Sequence, residues 1–343
     1  MRTGAPFLLR PYQASGYLRA MSIYLVTGGC GFIGSNLVHA LVARGEQVRI
    51  LDNLATGRLK NVAKLLADRP SQVELWRGDI LDGPLLDRVM RDVDYVLHLA
   101  AMPSVIWSVE HPVLCDRINS GGTLQVLEAA KRQGKVQRVV IAASCAAYGD
   151  LRPAEAKCED HEISPQSPYA AAKLASEHHG VVYSRIYGVP TVSLRYFNIF
   201  GVRQDPTSQY AAVIPNFVRA VLQGRTPKIF GDGLQSRDFC YIDNVVSANL
   251  LACSARAEQV AGQIINIGCG SSVTLRELVT ELGRLAGRSI EPEFLPAREG
   301  EVRYSLANIG KAQALLGYEP LVRFSEGLER TLRWFADRAE DAA

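Results

Sequence analysis

The stretch Ile23-Tyr24-Leu25-Val26-Thr27-Gly28-Gly29-Cys30-Gly31-Phe32-Ile33-Gly34 decides the fold of this chain. Five strand-forming residues end in a glycine-rich turn, and helical periodicity resumes near Phe32. Glycines at 28, 31 and 34 let backbone amides close on a pyrophosphate, and the N-terminus of the following helix favours its negative charge. The spacing is G-x-x-G-x-x-G, so the G-x-G-x-x-G dinucleotide fingerprint is met only approximately. Asp52 ends the next strand. A carboxylate there accepts from adenosine ribose hydroxyls and repels a 2′-phosphate, which favours NAD over NADP; Arg58 and Lys60 nearby argue the other way. Asp79-Ile80 follows the third strand, as an adenine contact or a strand-end cap.

Outward from this turn, apolar strand candidates recur at Val48–Leu51, Val73–Trp76, Tyr95–Leu99, Val139–Ala143 and Thr191–Leu194. Helical stretches separate them, notably Gly122–Gln133 and Pro168–Tyr187. That alternation predicts an α/β fold, a doubly wound parallel sheet (Rossmann) with a smaller C-terminal lobe. We divide the chain into an N-terminal extension (1–20), a nucleotide-binding domain (21–195) and a substrate-binding lobe (196–343), with segments free to cross between lobes. The extension carries three arginines and no acid, and Arg10-Pro11 interrupts any signal-peptide core.

A net charge of +3 without a long basic block argues against nucleic-acid binding. No apolar run approaches the roughly 20 residues of a membrane span. The seven cysteines form no C-x-x-C pair and the six histidines no metal spacing, so we expect reduced thiols, a cytoplasmic setting and no metal.

Tyr169 and Lys173 stand four apart in a helical stretch, on one face and one turn apart. An ammonium beside a phenol stabilises the phenolate, so we expect a lowered tyrosine pKa suited to a general base. Ser144 lies just past the strand Val139–Ala143, where doubly wound sheets place ligands. Its hydroxyl can hydrogen-bond the substrate oxygen that Tyr169 protonates and deprotonates.

Together the glycine turn, the Ser144 strand end and Tyr169-x-x-x-Lys173 resemble the extended short-chain dehydrogenase/reductases, in their nucleotide-sugar epimerase branch. The resemblance covers about residues 22–337 and is strengthened by Leu194–Asn198, Ser236–Asp243 and Pro296–Glu301. It implies NAD as cofactor, contacted by Gly28, Gly31, Phe32, Ile33, Gly34, Asp52, Asn53, Asp79, Ile80, Ala100, Ala101, Tyr169, Lys173 and Tyr196. It implies a UDP-sugar held by Ser104, Ser144, Asn198, Ala212, Val213, Ile229, Phe230, Arg237, Arg298 and Glu301. Arginine suits the diphosphate, since it offers a rigid fork of donors. A homodimer packed through Gly122–Gln133 and Pro168–Tyr187 is implied as well.

Family members that dehydrate or decarboxylate resemble one another in carrying acids just after the catalytic hydroxyl residue. Here the run is Ser144-Cys145-Ala146-Ala147-Tyr148, without a carboxylate, which favours epimerisation. Ser305 falls where a bulky tyrosine restricts the pocket to UDP-glucose and UDP-galactose, so a serine implies room for a C2 N-acetyl group. The substrate lobe resembles UDP-N-acetylglucosamine 4-epimerases of bacterial polysaccharide pathways. UDP-glucose or UDP-glucuronate 4-epimerisation, and a non-catalytic NAD-sensing protein, stand as alternatives. The chain departs from the family in Ala142-Ala143-Ser144-Cys145, where a serine run is usual, and in its extension. Cys145 either packs there or tunes the site.

Overall fold

The structure is a computed structural model and describes residues 21–150, 155–205, 212–297 and 302–340. Six parallel strands follow the alternation read from the sequence: β1 (Ile23–Thr27), β2 (Gln47–Asp52), β3 (Val73–Arg77), β4 (Tyr95–His98), β5 (Arg138–Ser144) and β6 (Thr191–Tyr196). A seventh strand, Gln263–Ile267, returns from the C-terminal half and pairs parallel with β6, Gln263 opposite Val192. The sheet order is Gln263–Ile267, β6, β5, β4, β1, β2, β3.

Both faces are covered, as an all-parallel sheet requires. Side chains alternate along each strand, so Val26, Ile50, Leu97 and Val140 join one core layer while Leu25, Leu51, Val96 and Val139 join the other. The helices Phe32–Ala43 and Ile242–Ser254 pack on the first face. Gly83–Val89, Gly122–Gln133 and Pro168–Tyr187 cover the second. The nucleotide-binding layer therefore draws a helix and a strand from beyond residue 195. Strand order reverses between β1 and β4, and the crevice at their carboxyl ends is where this architecture places ligands.

The remaining chain builds small sheets against that edge. Ile199–Phe200 pairs with Cys240–Tyr241, and Lys228–Phe230 with Glu293–Leu295. Ser236–Arg237 lies between Val273–Thr274 and Tyr304–Ser305. Asp238 anchors this corner. Its buried carboxylate accepts from the amides of Cys269 (2.7 Å), Gly270 (3.0 Å) and Ala307 (3.1 Å). Among the described residues, no helix is long and apolar enough to cross a membrane.

Candidate active site

Gly28 adopts φ +69°, and a Cβ on it would lie 2.8 Å from the Ala100 nitrogen. A Cβ on Gly34 would lie 2.2 Å from the Gly28 carbonyl oxygen. Only glycine fits either position, and the result is a bare backbone cradle at a helix start. No side chain caps that helix, so its first amides face the crevice without a competing acceptor. An anionic pyrophosphate matches this arrangement.

The cradle opens into a cavity of about 660 Å³. All the residues expected to touch the cofactor line it: Gly28, Gly31, Phe32, Ile33, Gly34, Asp52, Asn53, Asp79, Ile80, Ala100, Ala101, Tyr169, Lys173 and Tyr196. Ser104 lines it as well. Asp52 accepts from the amides of Cys30 (2.9 Å) and Leu54 (2.8 Å), which fixes its carboxylate and leaves lone pairs for a ribose. Asp79 accepts from the Asn53 amide at 2.8 Å and from the Leu81 amide at 2.9 Å, so it caps the strand end and faces the cavity at once. Arg58, the cation that argued for NADP, donates from Nε (3.2 Å) and from its terminal nitrogen (2.9 Å) to Asp205. The fit is therefore to NAD.

Tyr169 sits in the first turn of Pro168–Tyr187. Ser167 caps this helix by accepting from the Ala170 amide at 3.1 Å, and Pro168 begins it. The Tyr169 amide donates to Ser108 Oγ at 3.1 Å. Ser144 hydrogen-bonds the Tyr169 side chain. Its Oγ also accepts from the Ala146 amide at 3.2 Å, tying the strand end to the following turn.

The expected lowering of the Tyr169 pKa is not met in the protein chain. Burial pushes the phenol up to about 12, and the hydrogen bond from Ser144 only partly opposes this. Lys173 Nζ donates to the Ala142 carbonyl at 2.9 Å. Burial pulls that ammonium down to about 8, with Cys115 opposing. In the protein chain alone burial thus dominates the phenol; a bound cationic nicotinamide and the substrate hydroxyl would add to the charge that Lys173 carries.

A second cavity of about 680 Å³ adjoins the first at Ala212. Asn198, Ala212, Val213, Phe230 and Arg237 line it, as expected for a nucleotide diphosphate pocket. Asn216, Arg219, Arg225 and Lys228 also line it and went unnoticed in the sequence, because helix and loop cations look alike before folding. Ile229 corrects the sequence reading: its side chain is fully buried in the core, since strand alternation turns Lys228 and Phe230 to the cavity and Ile229 away. Arg298 and Glu301 lie outside the described residues.

Ser305 is buried, and its Oγ accepts from Asn198 Nδ2 at 3.0 Å. Cys145 Sγ meets both, through the Asn198 amide and the Ser305 hydroxyl. Burial pushes the Cys145 thiol up to about 11. Cys145, Asn198 and Ser305 thus gather into one cluster, although they come from three distant segments; of these, and of Ser144 beside them, only Asn198 lines a cavity. Outside both cavities, Cys158, Asp160 and His161 place donor atoms within 4.8 Å of one another, and His161 Nδ1 accepts from the Cys158 amide.

Sequence reading missed two further elements. The segment Val202–Asp205 reaches over the dinucleotide cavity, where Arg203 donates to Asn36 Oδ1 at 2.6 Å. A five-residue π-turn, Arg117–Gly121, carries Asn119, whose amide clamps Met102 on the cavity rim. An extra residue in an otherwise helical run leaves little trace in periodicity.

A glycine cradle, a ribose carboxylate and a Tyr/Lys/Ser group at the carboxyl edge define an NAD-dependent oxidoreductive enzyme of the extended short-chain dehydrogenase/reductase type. The chain belongs to the NAD-dependent epimerase/dehydratase family, whose model matches residues 24–268. It is 37% identical over 317 residues to a UDP-glucose 4-epimerase of Mycolicibacterium smegmatis, covering 92% of this chain and 99% of that protein. A crystal structure of Thermus thermophilus UDP-glucose 4-epimerase in complex with NAD is similar at TM-score 0.81 and 38% identity, covering 91% of this chain and 98% of that one. The UDP-N-acetylglucosamine 4-epimerase of Methanobrevibacter ruminantium, in complex with UDP-N-acetylmuramic acid, is similar at TM-score 0.85 and 36% identity, covering 93% and 99%. The protein is an NAD-dependent nucleotide-sugar epimerase.

Proposed function

We propose that the protein interconverts UDP-N-acetylglucosamine and UDP-N-acetylgalactosamine by inversion at C4. The observation that carries this reading is Ser305, a small buried residue held by Asn198 Nδ2 beside Cys145, directly behind Asn198 in the wall of the second cavity. A serine there, where the resemblance implies a bulky tyrosine in enzymes restricted to UDP-glucose and UDP-galactose, is what favours an N-acetyl group. The similarity to the Methanobrevibacter enzyme supports it. UDP-glucose is the second reading, favoured by the similarity to the Mycolicibacterium enzyme.

Bound NAD supplies the acceptor, and later the donor, of the C4 hydride. The chain holds and moves the proton. Tyr169 Oη takes it from the C4 hydroxyl and returns it to the same oxygen after the sugar has presented its other face. Ser144 hydrogen-bonds the phenol and orients it. Lys173, fixed by the Ala142 carbonyl, places positive charge on the same helix face. Arg237 and Arg298 clamp the diphosphate, so the sugar pivots without leaving. With no carboxylate directly after Ser144, no second acid acts on C5 or C6.

The same reading assigns a homodimer. Val182, Ile186 and Tyr187 are exposed along the helix Pro168–Tyr187, an apolar strip suited to a second copy. Seven free thiols suit the reducing cytoplasm, and the product suits polysaccharide assembly there. The test is incubation with UDP-N-acetylglucosamine without added NAD, followed by product identification. Ser305→Tyr should suppress hexosamine turnover at least tenfold more than UDP-glucose turnover, roughly the discrimination of one lost or gained contact. Equal losses would refute the gate.

A further inference from the structure

His98 ends β4 with both ring nitrogens engaged in a fully enclosed polar chain. Nδ1 lies 2.8 Å from Thr27 Oγ1, and Nε2 lies 3.0 Å from Thr123 Oγ1. Counting protons fixes the direction of the chain. Thr123 Oγ1 lies 2.6 Å from the Asn119 carbonyl, which can only accept, and 3.2 Å from Ser176 Oγ; either way its single proton points away from the ring, and the shorter contact takes it. The hydroxyl must then accept from Nε2, which makes Nε2 the protonated nitrogen. Burial pulls the imidazole down to about 3, with Lys173 adding to the effect, so the ring carries one proton only. Nδ1 is therefore bare and accepts from Thr27. That leaves the Thr27 oxygen free to accept the Ala100 amide at 3.3 Å.

The two ends of this chain serve different parts of the site. Thr27 immediately precedes Gly28, and Ala100 is the residue against which Gly28 packs. On the other side, the Asn119 carbonyl also accepts from Ser176 Oγ at 3.0 Å, one helical turn beyond Lys173. The Asn119 amide holds both the nitrogen (2.8 Å) and the oxygen (3.1 Å) of Met102. One buried ring thus joins the dinucleotide turn to the helix that bears Tyr169 and Lys173.

We propose that His98 is a positioning residue with two separable functions: its Nδ1 side sets the dinucleotide turn and hence NAD affinity, and its Nε2 side sets the Lys173 helix and hence turnover. Neither side touches substrate or the reacting atoms.

Two substitutions divide the ring. In His98→Asn the amide oxygen reaches the place of Nδ1 and still accepts from Thr27, but nothing reaches Thr123. In His98→Gln the amide nitrogen reaches the place of Nε2 and still donates to Thr123, but Thr27 loses its acceptor. For each purified protein we would measure NAD per protomer, the melting shift on adding NAD, and turnover of UDP-galactose and UDP-N-acetylgalactosamine at saturating NAD. His98→Gln should bind NAD about tenfold more weakly yet keep turnover within about threefold of the parent, the effect expected of one unmade buried hydrogen bond. His98→Asn should keep NAD affinity and lose about tenfold in turnover. Thr27→Val and Thr123→Val should reproduce the Gln and Asn patterns in turn, and serve where a His98 variant does not fold. NAD affinity and turnover falling together in all variants, in step with melting temperature, would overturn the proposal. So would no change in either. Because NAD binding is read without any sugar, and turnover with both a hexose and a hexosamine substrate, failure of the proposal is distinguishable from failure of the hexosamine reading.

Discussion

Replacing Lys173 with methionine should abolish turnover and at the same time make the NAD-free protein more stable near neutral pH. The lysine is buried, and its ammonium is held at about 8 against an ordinary 10.5. A displacement of about 2.5 pKa units corresponds to about 3 kcal/mol, because each unit is worth about 1.4 kcal/mol. The sign follows from proton binding. The folded-state pKa is depressed, so between pH 8 and 10.5 the unfolded chain binds the extra proton and stability rises with pH. Below pH 8 the charge is carried inside the fold and the whole cost is present. Methionine matches lysine in length, carries no charge and fills irregular space well. It forfeits the 2.9 Å bond to the Ala142 carbonyl, worth about 1 kcal/mol. The expected net gain at pH 7 is therefore about 2 kcal/mol. It should shrink and reverse as pH rises toward 10.5, since the folded protein holds the lysine neutral while the unfolded chain progressively loses its proton. Urea unfolding of NAD-stripped wild type and variant at pH 6.5, 7.5, 8.5 and 9.5 would measure the difference. A variant less stable at pH 7, or a difference that does not change with pH, would refute the reasoning about Lys173.

Tyr169→Phe removes only the phenolic oxygen from a buried ring, so the fold and NAD content should persist while turnover falls between a hundredfold and about ten-thousandfold. Near-parental turnover with a saturating UDP-sugar would exclude Tyr169 as the proton carrier. Gly34→Ala places a Cβ 2.2 Å from the Gly28 carbonyl, a separation no packing tolerates. The turn must open, and we expect NAD content to fall by at least tenfold, measured on the denatured protein; retention of full NAD would mean that the cradle yields more than its geometry allows.

The alternation of strands and helices was legible in the chain because each core-facing run is apolar and each turn carries its own chemistry. β1, β2 and β4 to β6 follow from apolar runs buried on both faces, and the edge strand β3 from the shorter Val73–Trp76 run. The strand Gln263–Ile267 was not, since five residues lying so far beyond β6 acquire their place only by pairing with it. Ser167, Pro168 and Gly188 mark the ends of one helix locally, and the Tyr169-to-Lys173 spacing follows from its pitch alone.

Other features exist only in three dimensions. Ile229 and Phe230 are neighbours in sequence, yet strand alternation sends one into the core and the other to a cavity. The pKa values of Tyr169 and Lys173 depend on desolvation, which spacing cannot report; that is why the lowered phenol expected from their pairing is absent from the protein chain. Arg58 reads as a cation near a ribose until Asp205, from another segment, pairs with it. His98 sits in an apolar strand as an unexplained polar residue until Thr27 and Thr123 arrive from β1 and the helix Gly122–Gln133. Short-range rules thus determined the NAD-binding turn, the Tyr/Lys pair and six of the seven strands of the sheet. Tertiary contacts decided what each ionisable or hydrogen-bonding group does, because charge and donor balance depend on neighbours brought from far along the chain.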